Sequence, residues 1–375
     1  MDKLFIFIGF ALFAILISRL INKKYQLEFI SFACLVFVGL LDWISLIVLV
    51  ASSMITYFTL FRVNISWARL HLAVIAILVA VFIFFKLKAT LLNGIFSAVL
   101  PLGLSFYYFR LIHFVLEVYK GNYKQATLRE FLNYMFYFPV ILIGPIIRFD
   151  DWKKEIKRRR WDPQMFSGGL ERILYGMVKI VILGNYLFSY ELAEYIENIK
   201  LSQPWMANYL DTIRYTGNSY MQFAGYSDIA IGLSMLFGIR VMENFHFPFL
   251  AGNINDFWKR WHISLSNWCK DYIFMPIASY SRMAWLAIIS SMLVLGLWHE
   301  FSSRYILWAL FHGLGIVIWH FYDKYISLNP KGFWGIIYNG ICIFITFNFV
   351  VISFIWVKET SFLASIKAFK MLIGL

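Results

Sequence analysis

An all-α, polytopic membrane protein is the fold class this chain predicts, with about ten or eleven transmembrane helices plus re-entrant or interfacial ones. Three observations carry that prediction. The 375 residues are 61% hydrophobic and only 15% charged, far from the roughly 45–50% apolar, 25% charged profile of a soluble domain. Long uncharged runs recur along the chain and leave only short polar connections, so no sizeable soluble domain fits. Thirty-four basic against twenty-one acidic residues give a net charge of +13. In so apolar a chain that excess fits cytoplasmic loops facing anionic lipid, and no nucleic-acid partner is expected.

The first apolar run, Leu4 to Ile17, lacks a small-residue cleavage site and is followed by Arg19, Lys23 and Lys24. It is expected to be a retained helix with its amino terminus outside, since basic flanks stay cytoplasmic. The stretch from Phe29 to Phe61 is too long for one span and contains Asp42, so two helices should meet near Leu40 to Trp43. Uncharged runs from Ala89 to Phe109, Phe131 to Ile147, Met283 to Trp298 and Gly332 to Val357 are each candidate helices. Pro101, Pro139 and the Gly144-Pro145 pair lie inside such runs. A helix broken there frees backbone groups that lipid cannot satisfy, so the breaks must face protein or a wet cavity. With no repeat, low-complexity tract or linker, one membrane domain over 1–375 is the economical description: amino-terminal helices over 1–90, a core over 91–322, and a terminal helix and tail over 323–375. Cys34, Cys269 and Cys342 are odd in number and widely spaced, which suggests small core residues and neither a disulfide frame nor a metal site.

Two segments stand out against the apolar background. Between Arg148 and Arg160 lie seven basic residues, partly offset by Asp150, Asp151 and Glu155. They read either as a membrane-surface helix on the cytoplasmic side or as a docking surface for an acidic carrier protein or a phosphate-rich cofactor. From Asn253 to Ile273, the five charges Asp256, Lys259, Arg260, Lys270 and Asp271 sit in a segment flanked by apolar chain. Burying them in lipid would cost on the order of 15 kcal/mol. The segment therefore should not cross; helical spacing puts Phe257, Trp261, Leu265 and Trp268 on one side, as in an amphipathic or re-entrant helix that Pro276 would end.

His262 lies in that segment. A second imidazole, His299, ends the apolar run at Gly296-Leu297-Trp298-His299-Glu300, and His312 and His320 follow on the next run. A single histidine here is usually structural or interfacial. An ionisable group inside a membrane protein is nonetheless a functional candidate, and imidazole is the side chain best suited to take and return a proton near neutral pH. No P-loop, dinucleotide fingerprint or metal-ligand cluster accompanies them.

In ordered blocks, the chain resembles the membrane-bound O-acyltransferase superfamily, in particular its bacterial branch of alginate O-acetyltransferases and teichoic-acid D-alanyltransferases. The blocks are PLGLSFYYFR from Pro101, GPIIRF from Gly144, MQFAGYSDIAIGLSMLFGIRVMENFHFPFL from Met221, INDFWKRWHISLSNWCKDYIFMPI from Ile254 and GLWHE from Gly296. The resemblance implies a multi-helix fold around a central tunnel or funnel that brings a cytosolic acyl donor to an acceptor on the far side. His299 matches the superfamily's catalytic histidine and His262 its second functional position. Asp228 and Arg260, with Trp261 and Trp298 beside the histidines, are expected to support the site. The implied donor is a thioester, acetyl-CoA or an acyl carrier protein's phosphopantetheine thioester, with no resident cofactor. The implied setting is the inner membrane, multi-pass, with a partner acyltransferase possible outside the cytoplasm.

Two departures bear on the donor. The loop after Pro276 reads IASYSRMAW, without the glycine-rich stretch of alginate-type enzymes, and in length and short tail the chain looks more like the D-alanyl branch. In the wording of GYSDIAIG and WHISLS it looks more like the acetyl branch, and acetyl is preferred. A free alcohol is a poor nucleophile, so acyl transfer needs a base at the hydroxyl. His299 is the choice for it; His262 would orient the acceptor or donate to the developing oxyanion. A covalent route through Cys269, Ser264 or Ser266 is the weaker one. The rival functions are a transporter or channel, which broken helices would also permit, and an idle scaffold that docks a partner enzyme.

Overall fold

The computed structural model describes residues 2–62, 67–91, 101–123, 125–326, 328, 330–372 and 374. Among them all regular structure is helical. The chain forms two compact units, Met1–Gly176 with Tyr226–Met242, and Met177–Gly225 with Glu243–Leu375.

The first unit contains α1 (Asp2–Leu20), α2 (Gln26–Leu41), α3 (Trp43–Arg62), α4 (Trp67–Leu91), α5 (Leu104–Tyr119), α6 (Leu128–Met135), α7 (Phe149–Arg158) and nearly all of α8 (Pro163–Val178). The expected break at Asp42 is present. Its carboxylate accepts the Ile44 and Ser45 backbone amides at 3.2 and 3.0 Å, satisfying amides that the new helix leaves without intrahelical partners. The run from Phe131 to Ile147 does not form the candidate helix. Helix α6 stops at Met135, and the following chain, buried from Phe136 through Ile141 and again at Ile146 and Ile147, is irregular apart from a single 3-10 turn at Phe138–Val140. Pro139 and Pro145 lack the amide a helix needs and push the preceding residue toward extended geometry. The break faces protein, as its apolar setting demands, and Tyr134 Oη donates to the Ile147 carbonyl at 2.7 Å. The Ala89–Phe109 run resolves into the end of α4 and the start of α5, with 92–100 outside the described residues.

The second unit begins with a π-wound stretch, Lys179–Glu191, followed by α9 (Leu192–Ile199) and the greater part of α10 (Pro204–Leu236), whose end from Tyr226 belongs to the first unit. It continues with α11 (Ile254–Arg260), α12 (Ile263–Cys269), α13 (Met275–Ser281), α14 (Ala284–His299), α15 (Ser303–Tyr325), α16 (Gly332–Ser353), α17 (Ile355–Lys358) and α18 (Phe362–Leu372). The Asn253–Ile273 segment is not one helix but two, broken at Trp261-His262. Its apolar side survives the break: Phe257, Trp261, Leu265 and Trp268 are all buried. Pro276 does not end the element. It sits in the first turn of α13, inside a helical run that continues from α12 through a π-wound turn at Lys270–Phe274, and the π winding next to it accommodates the amide it lacks.

Among the described residues, six helical stretches are long and apolar enough to cross a membrane: Lys23–Leu41, Trp43–Phe61, Arg69–Leu87, Pro163–Ile199, Ser303–Tyr325 and Gly332–Lys358. Leu4–Leu20 and Ala284–His299 are shorter apolar helices. Composition alone suggests more spans, because much apolar sequence lies in buried irregular chain and short helices instead. The protein is an all-α polytopic membrane protein, and bare side chains such as Leu20, Phe333 and Ile336 on its helices are suited to lipid contact. Of the cysteines, Cys34 and Cys269 are buried as expected, whereas Cys342 is partly exposed; it lies on α16, whose neighbours Ile341, Phe344 and Ile345 are bare as well.

Candidate active site

The second unit holds both histidines singled out in the sequence. His262 is the hinge between α11 and α12, with φ 44° and ψ 52°. That left-handed backbone costs a non-glycine residue of order 1 kcal/mol or more and persists only where neighbours enforce it. The chain at 244–246 does so from both sides: the His246 amide donates to the Arg260 carbonyl and the Ile263 amide to the Asn244 carbonyl, each at 2.9 Å. The imidazole is buried, its ring 4.6 Å from that of Phe223 and 5.4 Å from that of Trp298, both edge-to-face.

Asn244 also sets the protonation pattern of this ring. Its Oδ1 accepts the Ser264 backbone amide at 3.3 Å and the Ser264 hydroxyl at 2.9 Å. An amide hydrogen can only donate, so this atom is the oxygen, and His262 Nδ1, 3.2 Å from it, must carry the hydrogen. In the neutral ring Nε2 then holds the lone pair. That nitrogen is buried and has no hydrogen-bond partner among the described residues. Burial lowers the pKa of His262 well below the ordinary imidazole value, and charge on His299 lowers it further.

A pH dependence follows. With a folded pKa below the unfolded value of about 6.5, the folded chain binds fewer protons than the unfolded one between those two values. The stability this ring contributes is present above pH about 6.5 and is lost as pH falls toward the folded pKa, by about 1.4 kcal/mol per pH unit. Thermal melting of detergent-solubilised protein at about pH 7.5 and about pH 5.5 should show that loss, and His262→Gln should make it smaller. An equal acid loss in both proteins would contradict this protonation state.

His299 is the last residue of α14 and is partly exposed. Its ring lies 4.5 Å from that of Trp298, stacks on Tyr305 at 5.5 Å and meets Trp308 edge-on at 5.8 Å. Close crossing of α14 and α15 fixes the approach. A Cβ on Gly296 would fall 2.6 Å from the Tyr305 carbonyl oxygen and 2.8 Å from Ala309 Cβ, so only glycine allows this packing next to the histidine. Just beyond the ring, Arg304 donates to Glu300 Oε1 at 2.8 Å and to the Glu359 carbonyl, which ties down the turn that ends α14.

The histidines thus come from separate elements and share one indole, that of Trp298. The other predicted site residues each have partners of their own. Trp261 packs in an aromatic cluster with Phe245, Phe257 and Tyr220. Arg260 pairs with Asp256 one helical turn earlier, at 2.9 Å. Asp228 belongs to the first unit, where Arg172 donates to it at 2.6 Å. His312 is buried and structural: its Nε2 lies 2.8 Å from Ser353 Oγ, and its ring packs on Trp258 and Trp308. Burial pushes the Cys269 thiol up to about 12, which makes it a poor nucleophile, and the Ser264 hydroxyl is engaged by Asn244. Sequence reading missed Asn244, Tyr305 and Trp308. The two aromatics share a face of α15 with His312 at helical spacing, a legible signal; Asn244, eighteen residues before its partner, offers none.

The sequence model of the family described as MBOAT, membrane-bound O-acyltransferase family, matches residues 106–362. The chain belongs to that family. The match takes in every histidine just described. Among curated relatives, it is 33% identical over 268 residues to the "Probable alginate O-acetylase AlgI" of Pseudomonas syringae pv. tomato, covering 68% of this chain and 48% of the relative. It is 33% identical over 306 residues to a teichoic acid D-alanyltransferase of Streptococcus thermophilus, covering 72% of this chain and 71% of the relative. A peptidoglycan O-acetyltransferase of Helicobacter pylori is 26% identical over 315 residues, 74% of this chain and 57% of the relative. The chain spans about half the length of the alginate relatives it matches.

Proposed function

We propose that this protein is an O-acyltransferase of the inner membrane that moves a small acyl group, acetyl in the first instance, from a cytoplasmic thioester to hydroxyls of a cell-envelope polysaccharide or polyol polymer. The observation that carries the reading is the convergence of His262 and His299 on Trp298. His299, partly exposed at a helix end, takes the proton as the acceptor oxygen attacks the thioester carbonyl; the thiol leaves and the proton is passed on to it or to water. His262 is suited to orienting the acceptor. Its neutral ring can only accept at Nε2, so donation to an oxyanion would require a protonated form that burial opposes. Asp228 and Arg260 act at a remove, by holding their own helices.

D-alanyl transfer is the second reading, favoured by the fuller coverage of the teichoic acid relative. In that case an acidic carrier protein would dock on the basic segment at 148–160, whose helix α7 buries Phe149 and Trp152 and leaves most of its cations outward. A separate extracytoplasmic acyltransferase could complete the delivery in either case. Purified protein in liposomes, offered labelled acetyl thioester or D-alanyl carrier protein one at a time, should pass label to acceptor from the acetyl donor. Transfer from the D-alanyl donor alone would replace the first reading with the second; movement of acceptor with no ester formed would support a transporter.

A further inference from the structure

Unit one carries a cationic site that the histidine chemistry does not use. A cavity of about 310 Å³ opens between the end of α1, the chain joining α7 to α8, and the chain after α10. It is contiguous with a neighbour of about 350 Å³ that shares Arg160, Asp162 and Gly238 with it. Six cations line the pair: Arg19, Lys23, Arg158, Arg159, Arg160 and Arg240. Only two carboxylates do, and both are engaged. Asp162 Oδ1 accepts the Gln164 and Met165 amides at the start of α8. Glu155 accepts the Arg240 amide and pairs with Arg158.

Two of the cations are pre-positioned by the fold. The Arg19 guanidinium lies 3.8 Å from the centroid of the Trp161 ring and donates to the Leu236 carbonyl; that of Arg159 lies 4.5 Å from the Phe237 ring and donates to Gln26 at 2.6 Å. Gly238, at φ 83°, closes the cavity where a Cβ would come 3.0 Å from the Arg160 carbonyl oxygen. No ion pair to a carboxylate is formed by Arg19, Lys23, Arg159, Arg160 or Arg240 among the described residues. So many like charges gathered around one polar cavity favour an anion with several acceptor oxygens, which is the chemistry of a phosphate group.

The source of that phosphate is indicated by what adjoins it. Phe13, Leu16 and Leu20 lie on one face of α1 at helical spacing and are 62%, 60% and 88% exposed. This bare apolar stripe runs to the helix end that presents Arg19 and, just beyond, Lys23. Trp161, with its body half bare, is a side chain that favours the headgroup level. From the cavity and this adjoining stripe we infer that the site binds the phosphate of an anionic phospholipid, with the acyl chains lying along Phe13, Leu16 and Leu20.

The test is native mass spectrometry of the full-length protein in detergent, titrated with phosphatidylglycerol, with phosphatidylcholine, and with phosphatidylglycerol in excess inorganic phosphate. Lys23 and Arg160 are the cations to change, since the fold relies on the hydrogen bonds of Arg19 to the Leu236 carbonyl and of Arg159 to the Gln26 side chain. One phosphatidylglycerol should be retained in preference to phosphatidylcholine, and K23Q/R160Q should weaken that binding by about 30-fold. Melting of the variant within a few degrees of the parent would establish that the fold is intact. Equal retention of both lipids, or phosphatidylglycerol binding that the double variant leaves unchanged, would overturn the proposal. Complete displacement by inorganic phosphate would assign the site to a free phosphate instead and overturn the lipid assignment.

Discussion

On the proposed function, cells carrying His299→Ala should lose envelope ester, by about 10²–10⁴-fold in transfer rate, while expression and membrane insertion stay at the parental level. The size follows from what a positioned base contributes when a hydroxyl must lose its proton. The selectivity follows from location. His299 is partly exposed at the end of α14, and the Gly296 crossing packs α14 on α15 independently of the imidazole's own contacts with Tyr305 and Trp308. Ester content measured against immunoblotted, membrane-integrated protein checks both halves. Unchanged ester content would remove His299 from the chemistry.

Asn244→Leu should lower transfer by about 10²–10³-fold, although Asn244 is not expected to touch either substrate. Without Oδ1 the hydrogen of His262 Nδ1 loses its acceptor, and the ring is free to place its proton on the nitrogen that should carry the lone pair. The Ser264 amide and hydroxyl lose their partner as well, so some destabilisation accompanies the change. A conservative variant separates positioning from folding. Asn244→Asp keeps an acceptor opposite Nδ1 and therefore the tautomer, but its charge favours a protonated ring. Its activity should be depressed near neutral pH and recover as pH rises, a profile that a merely destabilised protein would not give. Identical flat profiles for Leu and Asp variants would show that tautomer control is not the role of Asn244.

Much of this was legible in the residues, and what was not has identifiable causes. The α2–α3 break could be read because a charged residue inside an over-long apolar run has few places to go in lipid, and Asp42 caps the following helix. Met283–Trp298 and Gly332–Val357 became α14 and α16–α17 almost as their uncharged runs suggest. The Phe131–Ile147 run misled because hydrophobicity reports burial and not helicity: the prolines hold that chain irregular, and surrounding protein buries it. The helix expected over Asn253–Ile273 breaks at a histidine in the left-handed region, a geometry imposed by the distant chain at 244–246. Such tertiary enforcement leaves no periodic trace, and for the same reason Asn244 was invisible. The two histidines were legible from their setting, whereas the partner that fixes the tautomer of one required coordinates.

The central claim is that His262 and His299 serve one reaction centre. Transfer rates in proteoliposomes for His262→Gln, His299→Gln and the double variant test it most directly, because groups that act as a unit are strongly non-additive. The double variant should be no slower than the slower single one. Losses that multiply, each histidine contributing independently of the other, would contradict the account.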